Sequence, residues 1–170
     1  MSIVVAPVPD ANYDLVFYEY NNGNNGGEVA LDWIIIGISI YDDGHEYYEV
    51  FNWGNGIPDT NSNIGDIAGT EDDNQAIPVA GNTETPPSEN ELYDPDYDSG
   101  PPEDNGPAPQ TGILIDVDNA PSSPPPDTYN YVVIISPLNP SDRTGDAAQV
   151  DAIQATEVPI ISAPPPPPPP

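Results

Sequence analysis

The sequence predicts an all-β fold, an antiparallel β-sandwich of the jelly-roll type. β-branched and aromatic residues are concentrated in short segments, and Gly, Pro, Asn and Asp separate these segments and favour turns. No segment longer than about ten residues has helical periodicity. The chain has 170 residues, with 25 Pro and 14 Gly. We therefore expect one domain with long loops and appendages.

The first half of the chain contains the clearest strands. Residues 14–20 (DLVFYEY) form the first, and the turn 21–27 (NNGNNGG) follows it. Residues 31–41 (LDWIIIGISIY) predict a long strand that is apolar on both faces, as in the centre of a sandwich. The turn residues Asp42–Gly44 connect it to 46–53 (EYYEVFNW), so the two segments predict a hairpin.

Three further strands are expected at 111–118, 128–136 and 149–155. In the first two, apolar residues alternate with other types, which is the period of a strand with one buried face. From all the strands we predict that the core includes Trp33, Ile35, Phe51, Ile113, Ile115, Val133 and Ile153.

The composition divides the chain into a domain and its appendages. Residues 1–10 are interpreted as an N-terminal extension, and 11–158 as the β-sandwich domain. Within it, 82–109 is rich in Pro and acidic residues and predicts a long surface loop. Residues 159–170 form a Pro-rich tail, in which Pro164–Pro170 predict a stiff polyproline II rod. The rod is either a spacer or a segment that docks on a neighbouring subunit.

The charge of the chain excludes several functions. The sequence has 29 Asp and Glu, one Lys or Arg, one His and no Cys, so its net charge is −28. Acid–base and nucleophilic catalysis mostly use Lys, Arg, His or Cys, so we expect no enzymatic activity. Nucleic acids and anionic membranes repel such a chain. We also expect no membrane insertion, because no apolar run approaches the roughly 20 residues of a membrane span.

The two basic side chains have structural interpretations. His45 follows Gly44 in the predicted hairpin turn, where we expect it to be exposed. Arg143 is the one guanidinium among many acids, so we expect carboxylates to hold it and to pin the loop 140–145.

The best metal candidate is the D-x-N-x-N segment Asp59, Asn61 and Asn63. Oxygen ligands at alternate positions of a tight loop suit a hard cation such as calcium. Asp66, or Glu71, Asp72 and Asp73, can complete the ligand shell. The alternative is a series of Asx turns in a polar loop.

A second metal candidate pairs the first and last strands. Asp14 or Glu19 meets Asp146 or Asp151 across the sheet in this hypothesis, and the alternative is that all four are solvated carboxylates. Calcium is the cofactor that both candidates suggest.

For two other groups of residues we favour a structural interpretation over a ligand site. Asp116 and Asp118 share one strand face, which we interpret as a solvent face. Alternation places about half of the strand tyrosines inside, and the others can stack on sugars or pack against another subunit. These tyrosines are Tyr18, Tyr20, Tyr41, Tyr47, Tyr48, Tyr129 and Tyr131.

Several motifs together resemble a known group of proteins. The hairpin Trp33–Val50 and the ending Gly145–Ile153 resemble the discoidin-like, galactose-binding-like jelly rolls. Phe51–Asn63 and Thr111–Asp118 resemble β-sandwich modules of bacterial secreted and cell-surface proteins. The resemblance covers residues 11–156. It implies a jelly-roll fold, an extracellular location and frequent calcium binding, and it implies no single ligand.

The sequence therefore predicts a non-enzymatic extracellular structural module, a self-assembling surface or filament subunit. The alternative is a calcium-dependent carbohydrate-binding or adhesion module, with glycans as partners. We expect a homo-oligomer or a contact with a neighbouring surface protein, made by Met1–Pro9 and Pro159–Pro170. In the alternative, both segments are linkers of a longer protein. The start of the chain lacks the features of an export signal, so the signal would lie outside it, or export would not use one.

Overall fold

A computed structural model of the chain describes residues 1–10, 12–19, 28–65, 71–78, 92, 111–137, 148 and 150–159. All regular structure in these residues is β-strand, and they contain no helix that can cross a membrane. Ten strands occur in this part of the chain: β1 (Ile3–Val5), β2 (Asn12–Glu19), β3 (Glu28–Leu31), β4 (Ile34–Ser39), β5 (Tyr48–Trp53), β6 (Gln75–Pro78), β7 (Thr111–Ile115), β8 (Asp127–Tyr129), β9 (Tyr131–Ile135) and β10 (Val150–Pro159).

The strands form four small sheets in which every pairing is antiparallel. Their orders are β10-β2-β7, β5-β4-β9, β3-β6 and β1-β8. Apolar side chains from β1 to β8 meet in one cluster, whose largest members are Trp53, Phe17 and Phe51. The all-β prediction is confirmed, and sheets that share one core are consistent with a β-sandwich.

The predicted hairpin is present between β4 and β5, with a register from Ile34 opposite Trp53 to Ile38 opposite Tyr48. The strand predicted at 31–41 is shorter, because β3 ends at Leu31 and β4 begins at Ile34. Trp33 lies in this break, and its indole Nε1 donates a hydrogen bond to the backbone oxygen of Glu71 at 3.1 Å.

The core prediction is wrong for Ile35 and Val133, which lie outside the core cluster. Ile34, Ile36 and Ile38 are fully buried, whereas Ile35 is only half-buried on the other face. Val133 lies opposite Gly37 on that same outer face, so it is also outside the core cluster. In a run of consecutive isoleucines, alternation does not indicate which face is buried.

The other core predictions hold in full or in part. Phe51, Ile113 and Ile115 are members of the core cluster. Trp33 and Ile153 are partly buried and pack against it.

The segment 1–10, interpreted as an extension, contributes a strand. β1 pairs with β8, and Ile3 and Val5 are buried in the common core. The boundary at residues 10 and 11 stays a prediction. The predicted loop 82–109 lies outside the described residues except for Leu92, which is buried and donates its N–H to the Pro78 oxygen at 2.8 Å.

Candidate functional site

The D-x-N-x-N segment binds backbone groups of β5 and of the chain at and just after β7. Both carboxylate oxygens of Asp59 accept from the Asn52 N–H, at 3.2 and 3.3 Å. The Asn63 Oδ1 accepts from the Leu114 N–H at 2.7 Å. Asn61 donates from Nδ2 to the backbone oxygens of Val50 and Asp116, at 2.9 Å each. The three side chains that the spacing nominated as metal ligands therefore join distant parts of the backbone.

One atom of this segment has no such role. The Oδ1 of Asn61 is buried and has no hydrogen-bond partner among the described residues. An ordered water or an ion commonly binds a buried amide oxygen that lacks a hydrogen-bond partner.

Asp59 lies in an acidic environment. Burial, and the nearby carboxylates Glu71 and Glu49, raise the pKa of Asp59 to about 7, against the Asn52 hydrogen bond, which lowers it. Glu71 is also buried, and its Oε2 accepts from the N–H groups of Gly54 at 3.1 Å and Gly56 at 2.8 Å. Asp59 therefore holds β5, and Glu71 holds the chain just after it.

Among the residues expected to complete the ligand shell, Glu71 is close enough to Asp59 to raise its pKa, and Asp73 accepts from the Trp33 N–H at 3.4 Å. Asp72 is exposed, and its N–H donates to the Gln75 Oε1 at 3.0 Å. Asp66 lies outside the described residues.

In the second predicted metal set, Asp14 and Glu19 lie near opposite ends of β2, which pairs with β10. Glu19 is buried at one end of this ladder, opposite Val150 and so beside Asp151 along the backbone. Asp14 lies towards the other end of β2. Asp146 and the side chain of Asp151 lie outside the described part of the structure.

Asp14 instead belongs to an acidic cluster that the sequence did not predict. Its Oδ2 accepts from the Val117 N–H at 2.8 Å, and burial raises its pKa to about 7, with Asp118, Asp116 and Asp10 adding repulsion. The cause is the β2–β7 register, which places Leu15 opposite Ile115. The sequence signal for this cluster was the presence of acidic residues next to segments that were predicted to be strands.

The other members of this cluster hold the surrounding loops. Asp118 accepts from the N–H groups of Ala6 at 2.8 Å and Asp10 at 3.3 Å. Asp116 accepts from the backbone and side chain of Asn119, at 3.0 and 2.7 Å. Asp116 is buried, which raises its pKa, so the expected solvent face is wrong for this residue.

The described residues contain no group of three or more His, Cys, Asp or Glu arranged to hold a metal ion. The calcium hypothesis therefore stays a prediction for both sets of residues.

A cleft of about 490 Å³ lies between the β4–β5 turn and β8, and we call it the tyrosine cleft. Tyr41 and Tyr48 in its wall are exposed. It is lined by Ser39, Ile40, Tyr41, His45, Glu46, Tyr47, Tyr48, Pro125, Asp127 and Tyr129. Its volume is typical of a ligand pocket, roughly 300–1,000 Å³.

Packing and hydrogen bonds fix the shape of the tyrosine cleft. The rings of Tyr48 and Tyr129 meet edge to face with centroids 5.9 Å apart. The Tyr129 hydroxyl donates to the Pro125 backbone oxygen at 2.8 Å. The Tyr47 ring lies so close to Gly37 that a Cβ there would collide with it. The glycine therefore allows Tyr47 to lie against the sheet.

The turn that borders the cleft has its own hydrogen bonds. The Ser39 hydroxyl donates to the Glu46 oxygen at 2.6 Å and accepts from the Tyr41 N–H at 3.0 Å. His45 is exposed in this turn, as predicted, and its N–H donates to the Asp43 Oδ1 at 3.1 Å. Arg143 lies outside the described residues.

Comparison of the chain with protein-family models, with curated proteins and with solved structures gives no match. The resemblance to discoidin-like modules stays a prediction.

Proposed function

We propose that this protein is a non-enzymatic structural module of the cell exterior that assembles with copies of itself or with neighbouring surface proteins. In this proposal the β-strands form a jelly roll. The observation that supports assembly is the tyrosine cleft, whose wall exposes Ile40, Tyr41 and Tyr48 on a chain of net charge −28. Grouped exposed apolar side chains commonly mark interaction surfaces.

The test is the mass of the full chain in solution. We expect light scattering to show a mass that rises with protein concentration at neutral pH in moderate salt. Tyr41→Ser should reduce this association because it removes an exposed ring from the cleft wall. Tyr131→Ser is the matched control, because Tyr131 is similarly exposed but does not line the cleft. A chain that stays monomeric at every concentration would contradict the proposal.

The alternative function is a calcium-dependent carbohydrate-binding or adhesion module, and the same cleft favours it. Tyrosine rings offer flat apolar faces to a sugar, and the exposed Glu46 and Asp127 carboxylates accept hydrogen bonds from hydroxyl groups. A glycan array with calcium and with EDTA tests this. Reproducible binding to one sugar class, lost in Tyr41→Ser, would favour the lectin over the structural module.

We propose calcium as the cofactor. The buried Asn61 Oδ1, which has no hydrogen-bond partner among the described residues, supports this proposal. We expect calcium to raise the melting temperature more than sodium chloride of equal ionic strength does. Asp59→Ala should reduce that difference, whereas Asp43→Ala, in an exposed turn, should leave it unchanged. Equal effects of the two salts would indicate charge screening alone.

A further inference from the structure

We propose that the tyrosine cleft binds the polyproline segment Pro164–Pro170 of a second copy of this chain. This inference rests on the proposed assembly and names the two surfaces that meet. The residues that line the cleft are in the described part of the chain, which ends at Pro159, with β10. The segment that follows supplies the occupant.

The chemistry of the cleft matches a polyproline II helix. Such a helix needs no internal hydrogen bonds, is stiff before it binds, and docks on aromatic-lined grooves. Proline has no N–H, so its backbone offers carbonyl acceptors only. The cleft presents donors to these carbonyls in the side chains of Tyr41, Tyr48 and His45. The rings of the two tyrosines offer flat surfaces on which pyrrolidine rings can pack.

Charge also selects this occupant. The chain has a net charge of −28, and Glu46 and Asp127 border the cleft, so acidic segments of another copy are repelled. None of residues 158–170 has a charged side chain. The tail therefore approaches the cleft without this repulsion.

The tail and the cleft belong to different elements of the fold. β10 lies in the β10-β2-β7 sheet, whereas the cleft is formed by the β4–β5 turn and β8. When the tail of one copy occupies the cleft of the next, the contacts are head-to-tail, and they extend into filaments when their rotation does not close.

The test uses a truncated chain, residues 1–160, and a capped peptide with the sequence of residues 161–170. We expect the peptide to bind the truncated chain saturably, measured by calorimetry and by tyrosine fluorescence. Tyr41→Ser should weaken this binding about tenfold, because it removes an aromatic ring from the cleft wall. Tyr131→Ser should leave it unchanged. A peptide of equal length with glycine and serine in place of the prolines should not bind.

The same proteins test whether the contact is intermolecular. The full chain should associate with increasing concentration, and the truncated chain should remain monomeric. Association of the truncated chain to the same extent would overturn the assigned contact while the proposed assembly stands. Failure of the peptide to bind the truncated chain would also overturn it. A monomeric full chain that no longer accepts the peptide would show the tail in its own cleft and would contradict both proposals.

Discussion

The side-chain amide of Asn61 donates a hydrogen bond to the backbone oxygen of Asp116 at 2.9 Å, across 55 positions of sequence. The same nitrogen donates to the Val50 oxygen, also at 2.9 Å. One buried side chain therefore connects β5 to the chain just after β7, in addition to the sheets themselves.

Asn61→Ala should destabilise the fold strongly. The substitution leaves two carbonyl groups without their donor in a buried position, which we expect to lower the free energy of unfolding by about 2–4 kcal/mol. Denaturant unfolding measures this change. Asn55→Ala is the control, because Asn55 is exposed and accepts from the nearby Ile57 N–H, two positions along the chain. A loss for Asn61→Ala no larger than that of the control would contradict the role of this amide.

Ile3→Ala tests whether the first residues belong to the domain. Ile3 is 2% exposed and packs in the common core, whereas its neighbour Val4 is 59% exposed. We expect Ile3→Ala to lower the free energy of unfolding by about 2–4 kcal/mol because a core cavity forms. Val4→Ala should change it by less than about 0.5 kcal/mol. Equal, small effects in thermal or denaturant unfolding would show that β1 is detached from the core in solution.

The stability of the protein should fall as the pH rises from about 4 to about 7. Burial raises the pKa values of Asp14 and Asp59 from 3.8 to about 7, so the folded state binds more protons than the unfolded state in this window. Their contribution to stability is fully present below the pKa of the unfolded state. It is lost as the pH rises through the pKa of the folded state. Melting temperatures in low-calcium buffers from pH 4 to pH 8 measure the trend.

Asp59→Asn should reduce this pH dependence because the amide stays neutral and keeps an acceptor for the Asn52 N–H. At pH 8 we expect a gain of about 1–3 kcal/mol in the free energy of unfolding. Asp43→Asn, in an exposed turn, should follow the parent protein at every pH. A parent protein whose stability rises through this window would refute the assignment.

Gly37→Ala should displace the Tyr47 ring, which lines the tyrosine cleft. A Cβ at this position collides with the Tyr47 ring, so the ring must move, at a cost of about 1–3 kcal/mol. Near-ultraviolet circular dichroism should report the changed tyrosine environment. At Gly44 a Cβ meets no atom, and Gly44→Ala adds only the strain of its φ of 69°. An unchanged tyrosine spectrum in Gly37→Ala would contradict this packing.

The sequence by itself determined the all-β class and the β4–β5 hairpin. Both depend on local chemistry: β-branched and aromatic runs, and turn residues at Asp42–Gly44. It also determined the strong negative charge.

Only the tertiary structure decided which face of β4 is buried, because Ile34, Ile35 and Ile36 offer apolar side chains to both faces. It also decided the use of the polar residues. The strand pairing brings Asp14 to Asp116, although 102 positions separate them. The D-x-N-x-N spacing resembles that of calcium ligands, and in the structure the Asn61 side chain donates to a backbone oxygen. Such contacts depend on which strands pair and in which register, and register is set by the packing of the whole core.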